Sequence, residues 1–190
     1  MRAVLLEVPE SLLEDRRRKG HDLFDEVWEG VLHMVPQPSG HHQRLGTTLV
    51  VVLLAPAKAK GLIGSYETAL FRAGKAGDRD YRVPDLIFAR PENASDRGVD
   101  GTAELVVEIL SPGDESYDKL GFYADLGVGE VLIVDPATRT VELLVLTDGR
   151  LEPAAPDATG ALVVTSLGVS LATVEGPRLR VSWAEGSADL

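Results

Sequence analysis

Apolar residues fall in short runs between turn-forming residues, and their spacing predicts a mixture of helices and strands. In "SGHHQRLGTTLVVVLLAPAKAKG" (39–61), Leu45, Leu49, Val52 and Leu53 recur at helical spacing, with Ser39 placed to cap the helix and Gly61 to stop it. A shorter helix is expected in "PESLLEDRRRKG", ended by Gly20, and another in "ESYDKLGFYADLG". The segment "DEVWEGVLHMVP" resembles two short strands that turn near Glu29 and Gly30. Further strand patterns are "LIGSYETALFR", "VPDLIFAR", "ELVVEIL", "EVLIVD" and "TVELLVL". Asp148-Gly149 is a hairpin signal, and the Pro/Ala/Gly-rich "EPAAPDATG" precedes the apolar "ALVVTSLGVSLATV". The order helix, three strands, helix, two strands predicts a mixed α/β fold without repeats or heptads.

Composition narrows this picture. The chain has 190 residues, 44% of them hydrophobic and 26% charged, which suits one domain with a full core. It contains no cysteine, which excludes disulfides, thiol catalysis and thiolate zinc sites. "MRAVLLEVPE" meets Glu7 and Pro9 too soon for a signal-peptide core, and the run "LVVVLLAPA" is too short to span a bilayer. A cytoplasmic protein with no membrane partner is expected. The net charge of −11 argues against holding nucleic acid by bulk electrostatics, although residues 58–97 carry eight Lys or Arg against six Asp or Glu.

One residue stands out chemically. In "ELVVEIL", Leu105, Val107 and Ile109 point to one face of a strand, and Val106, Glu108 and Leu110 to the other. A buried carboxylate costs several kcal/mol unless donors or cations compensate it. Asp85, in "VPDLIFAR", lies 108 − 85 = 23 residues upstream, far enough for "PENASDRGVDGTA" to return the chain beside the strand it left. Two carboxylates on neighbouring strands would share a hard cation such as magnesium. The alternative is an Asp at a strand edge and a Glu held by a buried Arg or by backbone donors.

The succession "EGVLHMVPQPSGHHQRL", "VPDLIFAR", "ELVVEILSP" and "YADLGVGEVLIVDP" resembles the Uma-two family of endonucleases, a branch of the PD-(D/E)XK superfamily, over about residues 24–145. The resemblance implies a restriction-endonuclease-like domain spanning 1–190: a mixed β-sheet core flanked by helices, with additional N-terminal and C-terminal strands, the latter at about 146–190. It also implies a DNA endonuclease that depends on Mg2+, or Mn2+, with Asp85, Glu108 and the carbonyl of Ile109 as metal ligands. Two-strand cutting with one site per chain would favour a homodimer.

The superfamily lysine sits two residues after the glutamate, where this chain has Leu110. Lys119, on the following helix, is the substitute expected to complete the catalytic set with Asp85 and Glu108, its long stem reaching a cleft from a neighbouring element. The competing assignment is an exposed lysine paired with Glu115. Arg82 and Lys75 are the next cations in line. Glu29 and His42 are accessory candidates, for the metal and for a phosphate or water respectively, while Tyr123 is expected to pack on the sheet. Leu110 and the acidic surface keep open a second function, a catalytically degenerate binding or assembly subunit. A carboxylate-pair hydrolase acting on sugars is disfavoured, because two Trp and four Tyr leave little for a stacking cleft.

Overall fold

The computed structural model describes residues 3–5, 9–20, 22, 24–72, 80–113 and 115–190. Strand β1 (Ala3–Leu5) precedes helix α1 (Glu10–Lys19), which stops at Gly20 with φ +65°. Strands β2 (Glu26–Trp28) and β3 (Val31–Met34) form a hairpin whose turn residues, Glu29 and Gly30, both take positive φ. That is the geometry that matches the twist of paired strands. Helix α2 (Gly40–Ala59) follows, with the Ser39 hydroxyl accepting from the His42 amide at 3.3 Å and Gly61 at φ +75° beyond its end.

The expected strand "LIGSYETALFR" divides in two. Its first part is β4 (Ile63–Tyr66) and its second β5 (Leu70–Phe71), and the two join different sheets around a bend where Glu67 takes φ +47°. Strands β6 (Tyr81–Arg82), β7 (Leu86–Ala89), β8 (Ala94–Ser95), β9 (Gly98–Asp100) and β10 (Leu105–Ile109) come next. A 3-10 turn at Tyr117–Lys119 runs into the short helix α3 (Leu120–Asp125). The remaining elements are β11 (Glu130–Val134), β12 (Val141–Thr147), β13 (Arg150–Pro153), β14 (Leu162–Val164), β15 (Val169–Val174), β16 (Arg178–Trp183) and β17 (Gly186–Asp189).

Six strands form the central mixed sheet, in the order β13-β12-β11-β10-β7-β4, with β10 and β11 its parallel pair. Both are buried on both faces, as strands covered from two sides must be. Leu105, Val107 and Ile109 pack with Leu45, Leu49 and Leu53 of α2 and with Val169 and Val181 of the C-terminal strands. On the other face, Val106, Val131 and Ile133 pack with Phe122 and Tyr123 of α3. The alternation expected along "ELVVEIL" is thus the division between two cores, with helices on either side of the sheet. α2 can lie close on β4 because Gly46 has no side chain: a Cβ there would sit 2.8 Å from the Tyr66 ring.

A second sheet, β1-β3-β2-β6-β5-β9-β8, carries the N-terminal hairpin. The tail forms a third sheet, β14-β15-β16-β17. It is tied to the core by Glu130, buried at the start of β11, whose carboxylate accepts from the amides of Thr165 (2.8 Å) and Ser166 (3.0 Å) and from the Ser166 hydroxyl.

Candidate active site

β7 runs antiparallel to β10 with Leu86 opposite Val107, so Asp85, just before β7, falls opposite Glu108. Strand pairing alone therefore brings the two carboxylates together at one end of the central sheet. Asp85 is fixed there by the amide of Ile109, which donates to its Oδ2 at 2.6 Å. His42, one turn into α2, places Nε2 2.9 Å from the Ile109 carbonyl and 3.2 Å from Asp85 Oδ1. Burial by itself would depress the His42 pKa, but the Asp85 carboxylate and the Ile109 carbonyl outweigh it and hold the imidazole above its ordinary value.

Glu108 is 3% exposed. The Tyr123 hydroxyl donates to its Oε1 at 2.5 Å, and the ammonium of Lys119 lies 3.2 Å from the same oxygen. Tyr123 packs on the sheet as expected, and it also orients this carboxylate. Lys119 ends the 3-10 turn at Tyr117–Lys119 and is buried, with its ammonium at Glu108. It is not the exposed partner of Glu115, which instead binds His33 Nδ1 at 2.9 Å. Leu110, in the position where the superfamily pattern has lysine, turns its side chain into the α3-side core.

The N-terminal hairpin contributes a carboxylate, but from a different residue than expected. Glu29 occupies the exposed turn, where its amide donates to Asp80, and does not line the cleft. Glu26, 1% exposed, points inward: its Oε1 lies 2.9 Å from Lys119 Nζ and accepts from the Val83 amide, while Oε2 accepts from the Trp28 indole. Glu67 also lines the cleft, its amide bonded to the Asp85 carbonyl and its carboxylate to Gln43. Arg82 does not enter; it donates to the Val27 carbonyl and to Asp80 and stacks over Trp28 and Phe122. Lys75 lies outside the described residues.

These groups line a cleft of about 350 Å³. At its floor three carboxylates, Glu26, Asp85 and Glu108, face one ammonium. Burial pushes the Glu108 carboxyl up to about 8, Lys119 opposing the shift and Asp85 and Glu26 adding to it. Lys119 is itself driven upward: burial works against its charge, but Glu108 and Glu26 prevail. Among the described residues no group of three or more His, Cys, Asp or Glu side chains is placed to hold a metal ion. Magnesium does not require one, since it keeps several waters and takes one or two carboxylates. Asp85, Glu108 and the Ile109 carbonyl are an all-oxygen donor set of the kind such an ion takes, with His42 Nε2 now resting 2.9 Å from that carbonyl.

Comparison with known proteins agrees with this architecture. A family model, Uma2, described as "Putative restriction endonuclease", matches residues 12–174. A crystal structure of a nuclease of the DUF820 group from Anabaena variabilis, itself described as putative, is similar with a TM-score of 0.59 and 20% identity, covering 75% of this chain and 82% of that one. At that identity the likeness speaks to the fold. No curated protein matches the chain. Among the described residues no helix is long and apolar enough to cross a membrane.

Proposed function

The chain belongs to the Uma2 family, and from that premise we propose that it is a divalent-cation-dependent endonuclease that hydrolyses phosphodiester bonds in DNA. Family and fold support a nuclease. The observation that carries the finer assignment is Lys119, whose ammonium contacts Glu108 from a neighbouring helix and so restores the cation missing at Leu110. Asp85, Glu108 and the Ile109 carbonyl would hold magnesium or manganese, which when bound polarises the scissile phosphate and acidifies a water.

The chain's own groups do the rest. Glu26 and Glu108 hold Lys119 at the cleft floor, where its ammonium offsets charge developing on the phosphate and helps place the attacking water. Tyr123 fixes the rotamer of Glu108, and His42 together with the Ile109 amide fixes Asp85. Groups fixed in this way before the reaction are what makes preorganised electrostatics effective.

The test is nicking of supercoiled plasmid and cleavage of oligonucleotides by the purified chain with Mg2+ or Mn2+, with EDTA and the Lys119→Met variant as controls. Metal-dependent cleavage lost in the variant supports the proposal. Cation binding without cleavage in the wild type would replace it with a nuclease fold that serves as a binding or assembly subunit.

A further inference from the structure

We propose that the site takes a nucleotide from an unpaired DNA strand and discriminates against base-paired duplex. The inference rests on the nuclease assignment above and adds the form of the substrate. Its basis is the depth and lining of the cleft. The groups assigned to chemistry lie at the bottom: Glu26 and Glu108 are nearly inaccessible, and Lys119 and His42 are buried. To meet them a scissile phosphate must enter a cleft lined by the β3–α2 connection and by Ser111, Pro112, Glu115 and Ser116. The volume, about 350 Å³, is at the small end of pockets that enclose single small molecules, roughly 300–1,000 Å³. It suits about one nucleotide unit. A duplex keeps its phosphates on a rigid helical rim and cannot lower one of them alone, whereas an unpaired strand can, which is why enzymes with deep pockets act on single strands or extruded nucleotides.

The lining points the same way. The upper walls carry Phe24, Met34, Val35, Pro36, Pro38 and Pro112, apolar surfaces that suit the face of an unstacked base. Among the described residues the only Lys or Arg lining the cleft is Lys119, against carboxylates that include Glu67 and Glu115 near its sides. Duplex DNA, with a charge about every 1.7 Å of axis, is held chiefly by basic residues that neutralise phosphates. This cleft offers one buried ammonium.

The experiment uses the full chain with Mg2+ or Mn2+ and one end-labelled oligonucleotide presented in three forms: alone, fully paired with its complement, and paired except for a short central mismatch bubble. Cleavage of the free strand, and of the bubble within its unpaired positions, should exceed cleavage of the paired form by roughly tenfold or more, the factor set by a modest unpairing penalty. Equal or faster cutting of the paired duplex overturns the inference and leaves the nuclease assignment standing. Failure to cut any of the three forms removes the nuclease assignment and the inference with it.

Discussion

The ammonium of Lys119 lies 2.9 Å from Oε1 of Glu26 and 3.2 Å from Oε1 of Glu108, so a lysine from the α3 segment joins a carboxylate of the N-terminal hairpin to one of the central sheet. All three residues are buried. The same contact that would supply a catalytic cation therefore also compensates two desolvated acids, and any change at Lys119 acts on stability as well as on chemistry.

Replacing Lys119 by Ala should lower the cleavage rate by about a hundredfold or more, the scale of one transition-state electrostatic contact. It should also destabilise the metal-free protein by about 3–5 kcal/mol, because the buried Glu26 carboxylate loses its cation. Denaturant unfolding in EDTA reads the second effect. An exposed lysine paired with Glu115 would have produced neither, so unchanged stability would refute the buried triad. Lys119→Arg should rescue poorly, since a planar guanidinium does not fit between two carboxylates spaced for an ammonium.

Asp85→Ala and Glu108→Ala should each abolish divalent-cation binding, measured calorimetrically, along with any cleavage. Either change removes one of the two anionic ligands assigned to an ion that gives up its waters reluctantly. Wild-type affinity in either variant would remove that residue from the ligand set.

Much of this arrangement was legible in the chain. Helical spacing with Ser39 and Gly61 marked α2, the alternation in "ELVVEIL" separated the two cores, and the 23-residue return placed Asp85 beside Glu108. What escaped were features that depend on contacts between distant segments. Glu26 and Glu29 lie in one short hairpin, and only the type of turn decides which of them points inward; Glu29 takes the left-handed turn position and Glu26 the buried one. The division of "LIGSYETALFR" hinges on one positive φ at Glu67, a conformation that a glutamate gives no reason to expect. Strand β16 was legible in principle, since "RLRVSW" alternates polar with apolar residues and buries Leu179 and Val181, whereas "GSAD" of β17 offers only Ala188 and carries no pattern.

Glu130→Ala should cost roughly 1.5–3 kcal/mol, the range for hydrogen bonds to a charged group, because the buried carboxylate is the acceptor for the Thr165 and Ser166 amides. Its signature is local. Hydrogen exchange should accelerate in β14 and β15, which the carboxylate anchors to β11, and leave β10 protected. Uniform acceleration across all three sheets would mean that the tail sheet and the core unfold as one cooperative unit.

Glu108→Gln separates the two roles of the central carboxylate. Burial raises the Glu108 pKa from an ordinary value of 4.5 to about 8, so between those values the folded chain holds a proton that the unfolded chain releases. Stability from this group therefore falls as pH rises across that window, because the native state binds more protons than the unfolded one. Glutamine carries no such dependence. In EDTA the variant should match or exceed the wild type in stability, and its advantage should grow from about pH 4.5 to pH 8 and then level off. Lys119 keeps Glu26 as a partner in the variant, and the Tyr123 hydroxyl can still donate to the glutamine oxygen, so no buried group is stranded. Adding magnesium should reverse the order: the wild type gains stability by binding the ion, and the variant, short of one anionic ligand, does not. If Glu108→Gln instead loses several kcal/mol in EDTA at neutral pH, the Glu108–Lys119 contact is a structural ion pair whose charge the fold requires, and Glu108 cannot be a carboxylate kept ready for a cation.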